Sequence, residues 1–389
     1  MINKSLLMAI LFVSICGILY SENGIKDNEI LIGSSLVLDG PAKFLGVQTK
    51  IGYEAYIKKI NDAGGIYDRK IKTIFYDDGY DPDKCAAATK KLLEEDKVFA
   101  LSCYVGTPTT KIAMPSITAA KTPLIGCYTG GEVFRNPLQK YIINVRASYN
   151  MECAEIVNHF VKDLGLSKIA VFYQNDAYGM AGLQGTVKAL KENNLTITAK
   201  ATYERNTVEV EEAVNTLREA KPDAIVMIGA YAPCAEFIKK AKKSGIDAYY
   251  HNVSFVGPEK LAENLGKDGD GVIVTQVVPL YDGEHKDYQF IEWYKTDMKK
   301  YFPNETINSV SLEGYLNAVI LVEGLKRAGK DLTRDKLVEA VESIQPGQLG
   351  TGVKISFSAA DHQGSDKVFV TIIKNGKYEY VTDFKALKK

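Results

Sequence analysis

Residues 98–128 read VFALSCYVGTPTTKIAMPSITAAKTPLIGCY. An apolar run of strand length leads into a loop of glycine and threonine. A segment of helical length follows, then a second short apolar run. Strand, helix and strand in that order predict a parallel pair joined by a crossover helix. The same rhythm extends upstream, with strands at 29–38 and 70–78 and helices at 46–65 and 81–96. Downstream of NVRASYN (144–150) a second series begins. Strands are read at 168–174, 196–203, 223–229, 247–254 and 271–278, with helices at 177–193, 209–220 and 232–245 between them. Long helices then replace the alternation at 286–302, 308–329 and 333–343. The tail returns to strands at 353–358 and 367–384, where Asn375-Gly376 is a two-residue hairpin turn. Two β/α series predict an α/β protein of two similar lobes, each with a parallel central sheet.

The totals agree with that reading. A chain of 389 residues exceeds one ordinary core. Lys+Arg and Asp+Glu are 48 each, which leaves no electrostatic footprint for nucleic acid or an acidic membrane. Lys4 followed by LLMAILFVSICGILY (6–20) and then polar SENGIKDN has the layout of an export signal, placed over residues 1–22. Export is preferred to a retained anchor. Lipoprotein processing at Cys16 is disfavoured by the bulky Ile15 before it. Five cysteines remain, at 85, 103, 127, 153 and 234. A Cys85–Cys103 disulfide and buried free thiols are both open.

Motifs for chemistry are absent or weak. There is no Gly-x-Ser-x-Gly elbow, no Gly-x-Gly-x-x-Gly fingerprint and no Cys-x-x-Cys; the histidines lack ligand spacing. GLKRAGKD (324–331) imitates a phosphate loop, but Asp331 stands where a hydroxyl is required, so Gly329 reads as a helix C-cap. The acidic DDGYDPD (77–83) lies at a strand end and helix start, which favours capping over calcium. No catalytic residue, metal or cofactor is expected.

A binding site is better marked. In a parallel α/β sheet, ligands gather beyond the carboxyl ends of strands, beside helix N-termini. Val105, Gly106 and Thr107 occupy one such loop, with Thr107 read as the helix cap; Tyr128, Thr129 and Gly130 occupy the next. Together they offer N–H and hydroxyl donors to one anion, most simply a carboxylate.

With ILIGSSLVLDGPAKFLG, YDDGYDPDKC, YVGTPTT…PLIGCYTGGE, KIAVFYQNDAYGMAGL, GAYAP and FVGPE in this order, the chain resembles the exported solute receptors of bacterial ABC importers, type I fold, branched-chain amino-acid (Leu/Ile/Val) binding group. The resemblance implies two Rossmann-like lobes, 23–146 with 280–346 and 147–279 with 347–389. Three hinge strands near 145–148, 276–281 and 345–351 would join them. It implies a periplasmic, monomeric receptor that closes on a small molecule and delivers it to a membrane permease. A sensor of the same fold is the alternative. By position, Thr107 falls where leucine receptors hold the ligand carboxylate with a serine, and Tyr128 where a backbone contact is made. Tyr178 and Tyr231 match tyrosines laid across the ligand, while Leu45 and Tyr281 fall near the cleft. Two departures stand out. Gly130 replaces a threonine, and Ser254 replaces a glutamate, both of which hold the ammonium of an amino acid. Unless Glu259, Glu132 or Asp39 supplies the charge, the site expected here suits a carboxylate that lacks an α-amino group, or a largely neutral solute, better than leucine.

Overall fold

The computed structural model describes residues 22–282 and 288–389. The export segment, with Cys16, lies outside the described residues apart from Glu22 at its end. In the first lobe β1 (Glu29–Leu36), β2 (Lys70–Asp77), β3 (Ala100–Ser102), β4 (Leu124–Ile125) and β5 (Ile142–Ile143) form a parallel sheet in the order β2-β1-β3-β4-β5. Helices α1 (Lys43–Asp62), α2 (Pro82–Glu94) and α3 (Thr107–Ala119) connect its first four strands. All but the first residue of β1 are buried, as both faces of the sheet are covered.

The acidic stretch caps. Asp81 accepts from the N–H groups of Asp83 (2.9 Å) and Lys84 (3.1 Å) at the start of α2. Asp77 Oδ1 takes Leu38 N–H at 2.7 Å, and Asp78 takes the Ser35 hydroxyl at 2.8 Å and Tyr80 N–H at 2.9 Å. The cap of α3 differs from expectation: Gly106 is the cap residue, and Thr107 is already helical.

The second lobe begins with a helix the periodicity did not flag, α4 (Tyr149–Asn158), capped by Ser148. It buries Cys153, Ile156 and Val157, then passes into a wider turn at His159–Asp163. The sheet that follows runs β12-β11-β10-β9-β8-β6-β7. Its members are β6 (Ile169–Gln174), β7 (Lys200–Tyr203), β8 (Ala224–Ile228), β9 (Tyr249–Asn252), β10 (Ile273–Gln276), β11 (Phe369–Lys374) and β12 (Lys377–Tyr380). Strands β6 to β10 are parallel; β11 and β12 are antiparallel and turn at Asn375-Gly376, both with positive φ. Helices α5 (Ala177–Glu192), α6 (Glu211–Ala220), α7 (Tyr231–Lys243) and α8 (Pro258–Leu265) accompany them.

After β10 the chain returns to the first lobe through α9 (Gln289–Tyr301), α10 (Ser309–Ala328) and α11 (Arg334–Glu342). Gly329 ends α10 with φ +83°, as read from sequence. Residues 353–358, expected as a strand, form none. Phe357 N–H instead reaches Ile344 O (3.1 Å) and Ser356 N–H reaches Gly364 O (3.0 Å), while Gly364, beyond the stretch, donates to Asn144 O (2.7 Å).

Helices α1 and α10 touch backbone to backbone. A Cβ on Gly52 would lie 1.7 Å from Ser311 O, and one on Gly314 would lie 2.1 Å from Thr49 O. The disulfide is not formed. All five described cysteines are free and buried. Cys103 packs in the main core, whereas Cys85 sits with Leu92, Leu101 and Tyr104 in a separate cluster on the other side of the first sheet.

Two outcomes follow from this packing. Gly52→Ala should destabilise the protein by about 2–3 kcal/mol, read as a lowered denaturation midpoint, because backbone rather than a movable side chain blocks the methyl. A chain starting at residue 22 should titrate five thiols in denaturant without reductant, and essentially none rapidly when native.

Candidate functional site

The two loops read as donors are locked side by side beyond the first sheet. Gly106 N–H donates to Tyr128 O (3.1 Å) and Tyr128 N–H to Tyr104 O (2.7 Å), which bridges Val105 to Tyr128. Gly106 has φ +98°, and a Cβ there would strike the Tyr80 ring at 2.2 Å, so both conformation and space demand glycine. The Thr107 and Thr129 hydroxyl oxygens are 2.6 Å apart. Thr129 also accepts from Gly131 N–H (3.2 Å) and donates to the Tyr149 hydroxyl (3.4 Å).

The second lobe answers with a tight turn, Ser254–Val256, ended by Gly257 at φ +78°. Phe255 projects among rings: its centroid is 4.4 Å from Tyr178, 5.4 Å from Tyr128 and 6.0 Å from Tyr80. Tyr149 stands 5.3 Å from Tyr178. The Tyr128 hydroxyl donates to Ser254 O at 3.4 Å. Tyr178 opens α5 under the Asp176 cap, and its hydroxyl donates to Gly229 O at 3.3 Å.

Thus Val105, Gly106, Thr107, Tyr128, Thr129, Gly130, Tyr178 and Ser254 converge. Tyr231 and Leu45 adjoin them: both face Gly257, and Tyr231 donates to Pro41 O at 2.5 Å across the lobes. Tyr281 stands apart, lining a separate cavity with Glu259, Leu280 and Tyr378.

A buried ionic cluster, not foreseen from sequence, supports this site. Arg146 lies at the first crossover with 1% of its side chain exposed, 3.4 Å from Glu152 and 3.3 Å from Glu313. Its guanidinium sits 5.0 Å above the Tyr128 ring and hydrogen-bonds Ser254 Oγ. Burial opposes its charge, yet Glu313 and Glu152 outweigh that and raise its pKa. Glu152 is well supplied with donors: Ser254 N–H (2.7 Å), Ser254 Oγ (2.8 Å) and Thr275 Oγ1 (2.5 Å). Glu313 Oε1 has the guanidinium nearby but accepts no hydrogen bond. Burial therefore pushes the Glu313 carboxyl up to about 7, with Arg146 only partly offsetting it. The sequence signal for this cluster is a lone arginine in NVRASYN, at the crossover itself.

The two departures from the family pattern, Gly130 and Ser254, take physical form. A Cβ on Gly130 would lie 2.6 Å from the Tyr149 ring and 2.7 Å from Tyr149 N, so a threonine has no room. Ser254 is held between Arg146 and Glu152. Of the acids that could replace the missing glutamate, Glu259 is engaged by Ser309 N–H (2.8 Å) and Oγ (2.9 Å). Glu132 accepts from Asn150 (3.0 Å), and Asp39 is exposed.

Comparison with known proteins places this geometry among relatives. Residues 29–377 match the family described as periplasmic binding protein. A Leu/Ile/Val-binding protein homolog of Brucella suis is 24% identical over 85% of each chain. The crystal structure of a possible leucine/isoleucine/valine-binding protein from Rhodopirellula baltica superposes with TM-score 0.88 and 31% identity, covering 93% of this chain and 98% of that one. A branched-chain amino-acid ABC transporter protein of Thermus thermophilus with bound valine shares the fold at TM-score 0.82 and 20% identity, over 92% and 97% of the two chains.

The Glu313 carboxyl gives a signed pH effect. Its folded pKa, about 7, lies above the ordinary 4.5, so its contribution is full below 4.5 and is lost as pH rises through 7. Glu313→Gln keeps the shape without the charge. Its melting temperature relative to the native chain should rise from pH 5 to about pH 7 and level off above that, and a flat difference across the range would refute the assignment.

Proposed function

The chain belongs to the periplasmic binding protein family, and on that premise we propose that it is an exported receptor of an ABC importer whose ligand is a carboxylic acid lacking an α-amino group. The lobes that close on the ligand are 23–146 with 280–346 and 147–279 with 347–389. Residues 1–22 direct export, the partner is a membrane permease, and the receptor acts as a monomer without covalent chemistry. None of the described helices is long and apolar enough to cross a membrane.

The observation that carries the ligand class is the state of the ammonium end. Ser254 is saturated by Arg146 and Glu152, and Gly130 is covered by Tyr149. A ligand ammonium entering there meets a guanidinium, and the two carboxylates beside it, Glu152 and Glu313, are already paired with that guanidinium, so its burial costs on the order of several kcal/mol. The carboxylate end is intact. The Thr107 hydroxyl, bonded here to Thr129, would turn to the ligand carboxylate on binding and join the N–H groups at the start of α3, with no counter-charge beside them. Closure follows from a ligand that touches both lobes and so favours the closed population. The names of the relatives above point instead to branched-chain amino acids, and the experiment separates the two.

Thermal shift of the mature protein should be measured with leucine, valine and phenylalanine, each beside its deaminated acid. A ligand at a hundred times its Kd adds about 2.7 kcal/mol. The deaminated acids should raise the melting temperature and the amino acids should not; the reverse order overturns the ligand class. Thr107→Val should weaken the acids about tenfold or more, the loss of one hydrogen bond to a charged group.

A further inference from the structure

We propose that the second lobe carries a ligand site of its own, away from the cleft, which takes a soluble organic anion with a short apolar body and holds it by the Lys242 ammonium. The site is a cavity of about 450 Å³ at the amino ends of β9 and β10. Strand β9 leads from this end to the Ser254 turn of the cleft, so the sheet stands between the two sites. The cavity is open. A Cβ on Gly245 or on Gly271, both in its wall, would meet no atom within 4 Å. A volume of this size falls in the range of small-molecule sites, about 300–1,000 Å³.

Its lining is apolar apart from a few charges. Ile246, Ile273, Ile372 and Leu387 supply the apolar part. The Tyr249 hydroxyl pins the segment that closes one side, donating to Leu387 O at 2.7 Å and accepting from Lys389 N–H at 2.9 Å. Of the charged side chains in the wall, Lys389 pairs with Asp247, and Asp270 accepts from Asn375 N–H at 2.8 Å. Lys242 is different. Its ammonium meets only backbone carbonyls, Asp268 O at 2.7 Å and Asp270 O at 3.4 Å, and among the described residues no carboxylate pairs with it. Three protons shared between two carbonyls leave one to give. The side chain is half-buried, and burial holds its pKa below the usual lysine value; Lys389 pushes the same way, against Asp268 and Asp270. A carboxylate, sulfonate or phosphate reaching Nζ supplies the missing counter-charge, while the isoleucines and Leu387 receive its apolar body.

The test titrates the protein with anilinonaphthalene sulfonate, whose fluorescence rises in apolar surroundings, beside its uncharged parent N-phenylnaphthylamine. The native chain should bind the sulfonate about tenfold more tightly than the amine, the worth of one hydrogen bond to a charged group. Lys242→Met should remove that margin and leave the affinity for the amine unchanged, whereas Lys242→Arg should keep most of it. A second reading needs no variant. Acylation of Lys242 by a limiting reagent, followed by peptide mass spectrometry of the native chain, should fall several-fold when the sulfonate is bound. Equal labelling with and without the sulfonate, a margin that survives Lys242→Met, or no binding by the native chain overturns the site. Binding lost in Thr107→Val but kept in Lys242→Met puts the sulfonate in the cleft and overturns it as well. None of these outcomes touches the carboxylate reading of the cleft, and failure of the deaminated acids there leaves this site standing.

Discussion

A guanidinium sealed from water at the first passage between the lobes is the constraint on which the rest of the site depends. Arg146 cannot sit there unpaired: the effective desolvation penalty is several kcal/mol per ion, and removing one partner of such a pair costs about 3–5 kcal/mol. Its partners come from different parts of the chain. Glu313 projects from α10 of the first lobe and Glu152 from α4 of the second, while Ser254 brings in the turn before α8. The Arg146 carbonyl is tied as well, accepting from Arg135 (3.0 Å) and Gln363 (2.6 Å). One side chain thus sets the crossover, the turn that presents Phe255 and the base under Tyr128.

Around that base the cleft is closed by contacts of modest individual strength. Gln174 donates to the Tyr80 hydroxyl at 3.3 Å, Asn206 to Gly79 O at 3.1 Å, and Tyr231 to Pro41 O, each crossing between lobes. Glu259 crosses too, capping the first turn of α10 through Ser309. Such bonds contribute about 1 kcal/mol each when water can compete for both groups. On the proposed function, a ligand touching both lobes would add a comparable increment and so move a two-state equilibrium between open and closed.

The electrostatics also separate the two ends of the site. One end offers hydroxyls and helix N–H groups without a counter-charge. The other holds a cation already committed to two carboxylates, one of them poised to carry a proton. Charge in the cleft is therefore asymmetric although the chain as a whole has formal net charge zero.

Much of this was legible in the sequence because it is local. The strand–helix alternation, the glycine at 106, the caps of the acidic stretch and the Asn375-Gly376 hairpin each follow from backbone sterics within a few residues. The departures at Gly130 and Ser254 were visible as well, since each is a single residue in a recognisable stretch. What sequence could not reach was whatever depends on residues far apart in the chain. The cysteine pairing failed on this account, because a sheet separates Cys85 from Cys103. The strand expected at 353–358 did not form because Ile344 O and Gly364 O took the N–H groups of Phe357 and Ser356. Arg146, Glu152 and Glu313 carry no shared motif: they are three ordinary charged residues until the fold removes water from all of them at once. Local sequence therefore determined the elements and the loops at the ends of their strands, and tertiary structure alone decided which buried charges meet there, because desolvation belongs to the packed assembly and to no single stretch of chain.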